Sequence, residues 1–142
     1  MLYTEMTKKA LKLCFDAHKD QVDKSGIPYV FHPFNVAERM MDEDCVIVAL
    51  LHDVVEDADY TLDDLRAMGF SEAVLEALEL MTHKPNVPYM DYIAKLKENP
   101  LACEVKHADL RHNSDLSRLG VITEKDLQRV KKYEKAMELL EQ

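Results

Sequence analysis

The most restrictive feature of this sequence is an apolar run in its first half. Residues 45–51 read CVIVALL, and the run continues through His52 and Asp53 into two valines. A surface helix carries apolar residues on one face only, whereas this segment is apolar nearly all the way round. The pattern predicts a buried helix over residues 44–56, at the centre of a helical bundle.

Composition favours an all-α fold. Glycine occurs only 3 times and proline 5 times, which leaves few residues for the tight turns of a β-sheet. Hydrophobic residues make up 47% of the chain and charged residues 32%, the balance of a globular domain with a real core. The spacing of apolar residues predicts about eight helices and no strand. We expect a single domain over residues 1–142.

Several helix boundaries are marked by capping residues. Pro100 suits the first turn of a long helix that Gly120 would close. The last helix is expected to bury a face that includes Leu127 and Leu140. Small polar side chains before the apolar stripes predict N-caps at Thr4, Thr61, Ser71 and Thr123.

Charge and cysteine usage limit the class of protein. A net charge of −9 argues against broad nucleic-acid binding, which needs a basic surface. No apolar stretch is long enough to cross a bilayer. Cys14, Cys45 and Cys103 are odd in number and widely spaced, so we expect reduced thiols in a cytoplasmic protein. The oligomeric state stays open.

His52 and Asp53 stand out because they interrupt the apolar run. A buried, ionised aspartate must be paired or bound to a metal, and imidazole with carboxylate suits manganese, iron or zinc. Glu56 and Asp57 follow four residues later, at the same end of the predicted helix. A His-Asp pair alone is more often an ordinary hydrogen-bonded pair, so further residues are needed to indicate a site.

Two other segments supply such residues. His32 lies in SGIPYVFHP, where a helix is predicted to begin, and Asp109 lies in KHADLRHN on the long helix. The order GxPYxxHP, LLHDVVED and KxADxxHN resembles the hydrolase domain of the RelA/SpoT family of alarmone enzymes, above all its small, stand-alone, single-domain members. The resemblance covers about residues 18–113 and implies an HD-domain helical bundle.

The resemblance also implies roles for individual residues. It implies one divalent metal ion, usually Mn²⁺, and a water activated by Glu56 and Asp57. Asn113 would lie near the nucleotide, and Lys24 and Lys84 are candidates for phosphate contacts. The reaction implied is the release of pyrophosphate from the 3′ position of guanosine tetra- or pentaphosphate. The metal ligands implied are His32, His52, Asp53 and Asp109.

The chain departs from the family in one loop. Asp20 and Asp23 stand where the family has glycine and arginine, and that arginine normally helps to hold the base. Two alternatives therefore stay open. One is a phosphohydrolase of another nucleotide, such as the 2′-phosphate of NADPH. The other is a nucleotide-binding sensor without catalysis.

Overall fold

The structure, a computed structural model, describes the backbone of residues 1–142 and every side chain except that of Asp57. Across this described chain there are nine α-helices and one 3-10 helix, and the only strand-type pairing is an isolated bridge between Val22 and Pro28. The all-α prediction is confirmed. The helices are α1 (Glu5–His18), α2 (Phe31–Glu38), α3 (Glu43–Leu51), α4 (Val54–Asp57), α5 (Leu62–Ala67), α6 (Glu72–Met81), α7 (Tyr89–Lys97), α8 (Pro100–Asn113), the 3-10 helix (Leu116–Arg118) and α9 (Glu124–Glu141).

Helix α3 is the centre of the bundle, as its sequence predicts. All seven residues from Cys45 to Leu51 are buried, and α3 packs against α1, α2, α6 and α8. A helix that is apolar all round has to be covered on every side, and four neighbouring helices achieve this. Burial of α3 therefore organises the rest of the fold.

The predicted helix over residues 44–56 is not continuous, and that expectation was wrong. Regular helix ends at Leu51, His52 and Asp53 form a turn, and α4 begins at Val54. Asp53 has φ −95° and ψ −8°, in the sparsely populated bridge region between helix and strand. The apolar pattern did not indicate the break because both residues keep backbone angles in or near the right-handed helical region, and because the Asp53 side chain accepts a hydrogen bond from Tyr29, which is distant along the chain.

All four predicted N-caps are confirmed. The side chains of Thr4, Thr61, Ser71 and Thr123 each accept a hydrogen bond from a backbone N–H in the first turn of their helix. Each cap satisfies one of the N–H groups that a helix leaves without a partner. These bonds are local, which is why the sequence alone predicts them.

The predicted long helix from Pro100 to Gly120 is too long. Helix α8 ends at Asn113, and the chain passes into the 3-10 helix, where the Asp115 side chain accepts from the Ser117 N–H. Aspartate bonds to backbone N–H groups two residues on and so competes with continued helix. The predicted buried face of α9 was also partly wrong, since Leu127 is exposed while Leu140 is buried.

The three cysteines are unpaired, as the sequence predicts. Cys14 and Cys45 are buried, Cys103 is half-buried, and all three are free thiols. Over the part of the chain that is described, no helix combines the length and the apolar character that crossing a membrane requires.

Candidate active site

The α1–α2 loop, residues 19–30, brings the first candidate ligand into the bundle. The loop folds back on itself through Asp23 N–H to the Ile27 carbonyl at 2.8 Å and Tyr29 N–H to the Gln21 carbonyl at 2.8 Å. Gly26 sits at its tip with φ +80°, a conformation that favours glycine. This turn places Tyr29 against the site and starts α2, which buries His32 in its first turn.

Four buried side chains converge where α2, the α3–α4 turn and α8 meet. His32 Nε2 lies 2.8 Å from Asp109 Oδ1 and 3.9 Å from Asp53 Oδ2. His52 Nε2 lies 3.1 Å from Asp53 Oδ2 and 3.4 Å from Asp109 Oδ1. The ligand-capable atoms of His32, His52 and Asp109 all lie within 4.8 Å of one another. The structure thus brings together the four residues that the sequence predicts as metal ligands.

The arrangement fits a divalent cation. His52 Nδ1 donates to the Ala49 carbonyl at 2.6 Å, which directs Nε2 towards the two carboxylates. Among the described atoms His52 Nε2 is buried without a hydrogen-bond partner, an unusual state for a polar atom. Two imidazoles and two carboxylates around one point are a donor set for manganese, iron or zinc. A bound cation would give the buried nitrogen a partner.

The neighbours of both carboxylates in the cluster favour the ionised form. Burial by itself would raise the pKa of Asp53, but the neighbouring His52 lowers it to about 2. Burial would likewise raise the pKa of Asp109, but Lys106 and then His52 hold it well below its usual range. Burial would lower the pKa of His52, and the charges of Asp53 and Asp109 raise it instead. The two carboxylates therefore favour a positive charge between them, a place that a metal cation can take.

Three further residues, which the sequence does not predict as site residues, hold these ligands in place. Lys106 Nζ donates to Asp109 Oδ2 at 2.9 Å, and Tyr29 Oη donates to Asp53 Oδ2 at 2.5 Å. His112 Nδ1 lies 2.7 Å from His32 Nδ1, with the two rings stacked. Lys106 and His112 stand three residues before and after Asp109, on the same face of α8. That spacing was the signal available in the sequence.

His112 also orients the ring of His32. Burial lowers the pKa of His112 to about 4, with the charge of Arg118 contributing in the same direction. A neutral His112 can accept a hydrogen bond at Nδ1 from the Nδ1–H of His32, which holds the His32 ring with Nε2 directed at Asp109. Orienting a ligating imidazole through its other nitrogen is the usual arrangement at protein metal sites.

The proposed catalytic carboxylates lie on α4, directly after the turn. Glu56 is exposed. The side chain of Asp57 lies outside the described part of the structure, so its predicted role stays a prediction. Because α4 follows Asp53 at once, Glu56 lies close in sequence to a candidate ligand.

The three predicted substrate contacts divide between two cavities. Lys24 and Asn113 line one cavity of about 330 Å³, which Tyr29 also lines, and Asn113 Nδ2 donates to Asp109 Oδ1 at 3.1 Å. Lys84 instead lines a separate cavity of about 320 Å³, beside Tyr92. The structure therefore groups Lys24 and Asn113 with the cluster and does not group Lys84 with them.

Replacing Lys106 by methionine is expected to destabilise the metal-free protein. Lys106 is nearly buried beside Asp109, and the removal of one partner from a buried ion pair costs roughly 3 kcal/mol of unfolding free energy. Added manganese should recover much of this loss, since a cation would replace the missing charge. Urea unfolding with and without manganese measures both effects. Lys131→Met, at an exposed position, is the control, and equal stability of the two variants would contradict the assignment.

Comparison with protein families places the fold among known domains. A family model described as HD domain matches residues 10–102. A solved structure, reported under the statement that a metazoan ortholog of SpoT hydrolyzes ppGpp and plays a role in starvation responses, superposes with a TM-score of 0.79. The two chains are 25% identical, and the match covers 99% of this chain and 88% of the other.

Curated proteins show the same resemblance. This chain is 34% identical over 91 residues to guanosine-3′,5′-bis(diphosphate) 3′-pyrophosphohydrolase of Aquifex aeolicus. It is 33% identical over 137 residues to GTP pyrophosphokinase of Streptomyces coelicolor, and 33% over 96 residues to the bifunctional (p)ppGpp synthase/hydrolase SpoT of Escherichia coli. The matches cover 61%, 87% and 65% of this chain, but only 13%, 15% and 14% of those relatives. The resemblance to RelA/SpoT-type domains is confirmed.

Proposed function

This chain belongs to the HD domain family, and we propose that it is a metal-dependent nucleotide phosphohydrolase that removes the 3′-pyrophosphate of guanosine tetra- or pentaphosphate. The observation that carries the proposal is the buried convergence of His32, His52, Asp53 and Asp109. Ionised carboxylates are seldom buried together without a cation between them. The names of the relatives, which include a 3′-pyrophosphohydrolase and SpoT, support the choice of substrate.

The four clustered residues would hold the metal, for which we propose Mn²⁺. A bound divalent ion supplies a Lewis acid that polarises a phosphoryl oxygen and lowers the pKa of a water molecule. The donor set of two imidazoles and two carboxylates supports this choice without separating manganese from iron or zinc. Lys106 offsets part of the negative charge, and Tyr29 and His112 orient the ligands.

The remaining chemistry falls to side chains around the cluster. Glu56, assisted by Asp57, accepts a proton from the attacking water and aligns that water with the phosphorus. Lys24 and Asn113 contact phosphate and sugar in the cavity beside the cluster. Lys84 is also proposed as a substrate contact, although it lines a separate cavity. The substrate is a small nucleotide rather than a nucleic acid, consistent with a net charge of −9.

We also propose that residues 1–142 form one domain and that the protein acts in the cytoplasm. One cluster of buried apolar residues runs from α1 to α9, which supports a single folding unit. The three free thiols are typical of a reducing compartment.

A second candidate function is hydrolysis of another nucleotide, such as removal of the 2′-phosphate of NADPH. The observation that favours it is Asp23, a carboxylate that lines the cavity at the position where RelA/SpoT-type loops have an arginine. A change of charge at a position that faces the ligand changes which ligand is bound best.

The experiment that separates these functions is a substrate panel with the manganese-loaded protein. We expect guanosine tetraphosphate to give GDP and pyrophosphate, measured by anion-exchange chromatography and a pyrophosphate assay. Protein stripped with a chelator is the control and should be inactive until manganese is restored. Release of phosphate from NADPH without turnover of guanosine tetraphosphate would favour the second candidate. No turnover of any nucleotide would contradict both.

A further inference from the structure

Arg118 occupies the junction between the α1–α2 loop and the end of α8. Its Nη1 donates to the His112 carbonyl at 2.9 Å and to Asn113 Oδ1 at 3.4 Å. Its Nη2 lies 3.8 Å from Asp23 Oδ2, and its carbonyl accepts from Ser25 Oγ at 3.2 Å. The side chain is 27% exposed, so the guanidinium is held in position and still faces solvent.

This guanidinium lies beside the residues that hold the candidate metal ligands. Arg118 lines the same cavity as Tyr29 and Asn113, which hydrogen bond to Asp53 and Asp109 respectively. A nucleotide whose 3′-phosphates lie at the cluster would extend its other groups into this space. Arg118 is therefore placed to contact a part of the substrate that does not react.

One of the other two cations that line the cavity, Arg129, is committed to a buried carboxylate. Arg129 Nη2 lies 2.6 Å from Asp126 Oδ1, and Lys24 Nζ lies 3.9 Å from the same oxygen. The Asp115 carboxylate, which also lines the cavity, accepts hydrogen bonds from Ser117. Arg118 faces Asp23 at a separation that is longer than a hydrogen bond.

We propose that Arg118 binds a phosphate group of the nucleotide that is not hydrolysed, the 5′-diphosphate in the proposed substrate, and that Asp23 competes with this phosphate for the guanidinium. This inference rests on the proposed function. Guanidinium matches phosphate oxygens with two parallel hydrogen bonds, and a protein of net charge −9 needs such a local cation to hold a polyanion. Asp23 keeps its other oxygen for the Ser25 and Ile27 N–H groups, so the loop remains folded when Oδ2 gives up the guanidinium.

The test is a pair of substitutions with opposite expected effects. Arg118→Gln should raise KM for guanosine tetraphosphate about 10- to 100-fold, the range for loss of a charged hydrogen bond, while kcat changes little. Asp23→Asn keeps an acceptor oxygen for the loop and should lower KM about 2- to 5-fold, as expected for an ion pair that solvent partly screens. Damage to the loop would raise KM in both variants. A KM that rises or stays unchanged in Asp23→Asn therefore overturns the proposed competition.

Arg66→Gln is the matched control, because Arg66 is an exposed arginine of α5 that pairs with Glu72 and Asp63. It should leave KM unchanged, and all variants should retain the metal content of the parent protein. A guanosine 3′-diphosphate without 5′-phosphates provides the second control. The KM of Arg118→Gln should equal that of the parent protein on this compound. If Arg118→Gln still raises KM on this compound, Arg118 acts through the candidate metal ligands and not on the 5′-phosphates. That result overturns the assignment.

Binding of GDP separates this inference from the proposed function. GDP carries the 5′-diphosphate without a group to hydrolyse, so calorimetry tests the subsite whether or not guanosine tetraphosphate is turned over. We expect weaker GDP binding in Arg118→Gln and tighter binding in Asp23→Asn. Turnover by the parent protein, with equal GDP binding in all variants, would contradict the role of Arg118 and leave the proposed function intact. If the parent protein does not hydrolyse guanosine tetraphosphate but the variants bind GDP as expected, the proposed function is contradicted and the phosphate subsite at Arg118 is supported.

Discussion

His52→Gln is expected to remove both the bound metal and the activity. His52 Nε2 lies within 3.4 Å of both candidate ligand carboxylates, and its Nδ1 is already committed to the Ala49 carbonyl. Glutamine has a similar size but its amide is a poor metal ligand. Loss of an outer partner of a metal site costs roughly 10- to 100-fold in affinity, and loss of a ligand should cost more. Turnover should fall to background.

The measurement is the metal content of the purified variant, together with the rise in unfolding temperature on addition of manganese. The parent protein should be stabilised by manganese, because a ligand that binds only the folded state shifts the unfolding equilibrium. His107→Gln is the control, since His107 pairs with Glu141 at the surface, and it should behave like the parent. Circular dichroism shows whether both variants fold. A folded His52→Gln variant with normal manganese content would remove His52 from the ligand set.

Glu56→Gln is expected to separate chemistry from binding. Glu56 lies on α4, directly after the turn that holds His52 and Asp53, and it is exposed. Glutamine keeps the shape of the side chain but cannot accept the proton of the attacking water. Turnover should therefore fall on the order of 10²- to 10⁴-fold, the usual contribution of a general base. Metal content and KM should stay close to those of the parent protein.

The check is kcat and KM measured under manganese saturation, with the metal content determined on the same samples. Glu134→Gln, at an exposed position of α9, controls for the loss of one surface charge. Loss of the metal in Glu56→Gln would make Glu56 a ligand and not a base. Turnover near that of the parent protein on the true substrate would place the base elsewhere.

The sequence by itself determined the elements whose causes are local. The apolar run of residues 45–51 could only be a central element of a bundle, and the four N-caps depend on hydrogen bonds within one turn. The resemblance of three short motifs named the four clustered residues before any distance was known. Each of these conclusions needs only the identity and spacing of neighbouring residues.

The tertiary structure alone decided how those residues meet and what holds them. At the break, Asp53 accepts a hydrogen bond from Tyr29 and His52 faces Asp109, two residues that are distant along the chain and that helical periodicity cannot indicate. Asp23 and Arg118 also pair, although all three motifs lie between them in the sequence. Charge compensation depends on distance in space, and spacing along a sequence carries that information only within a single helix.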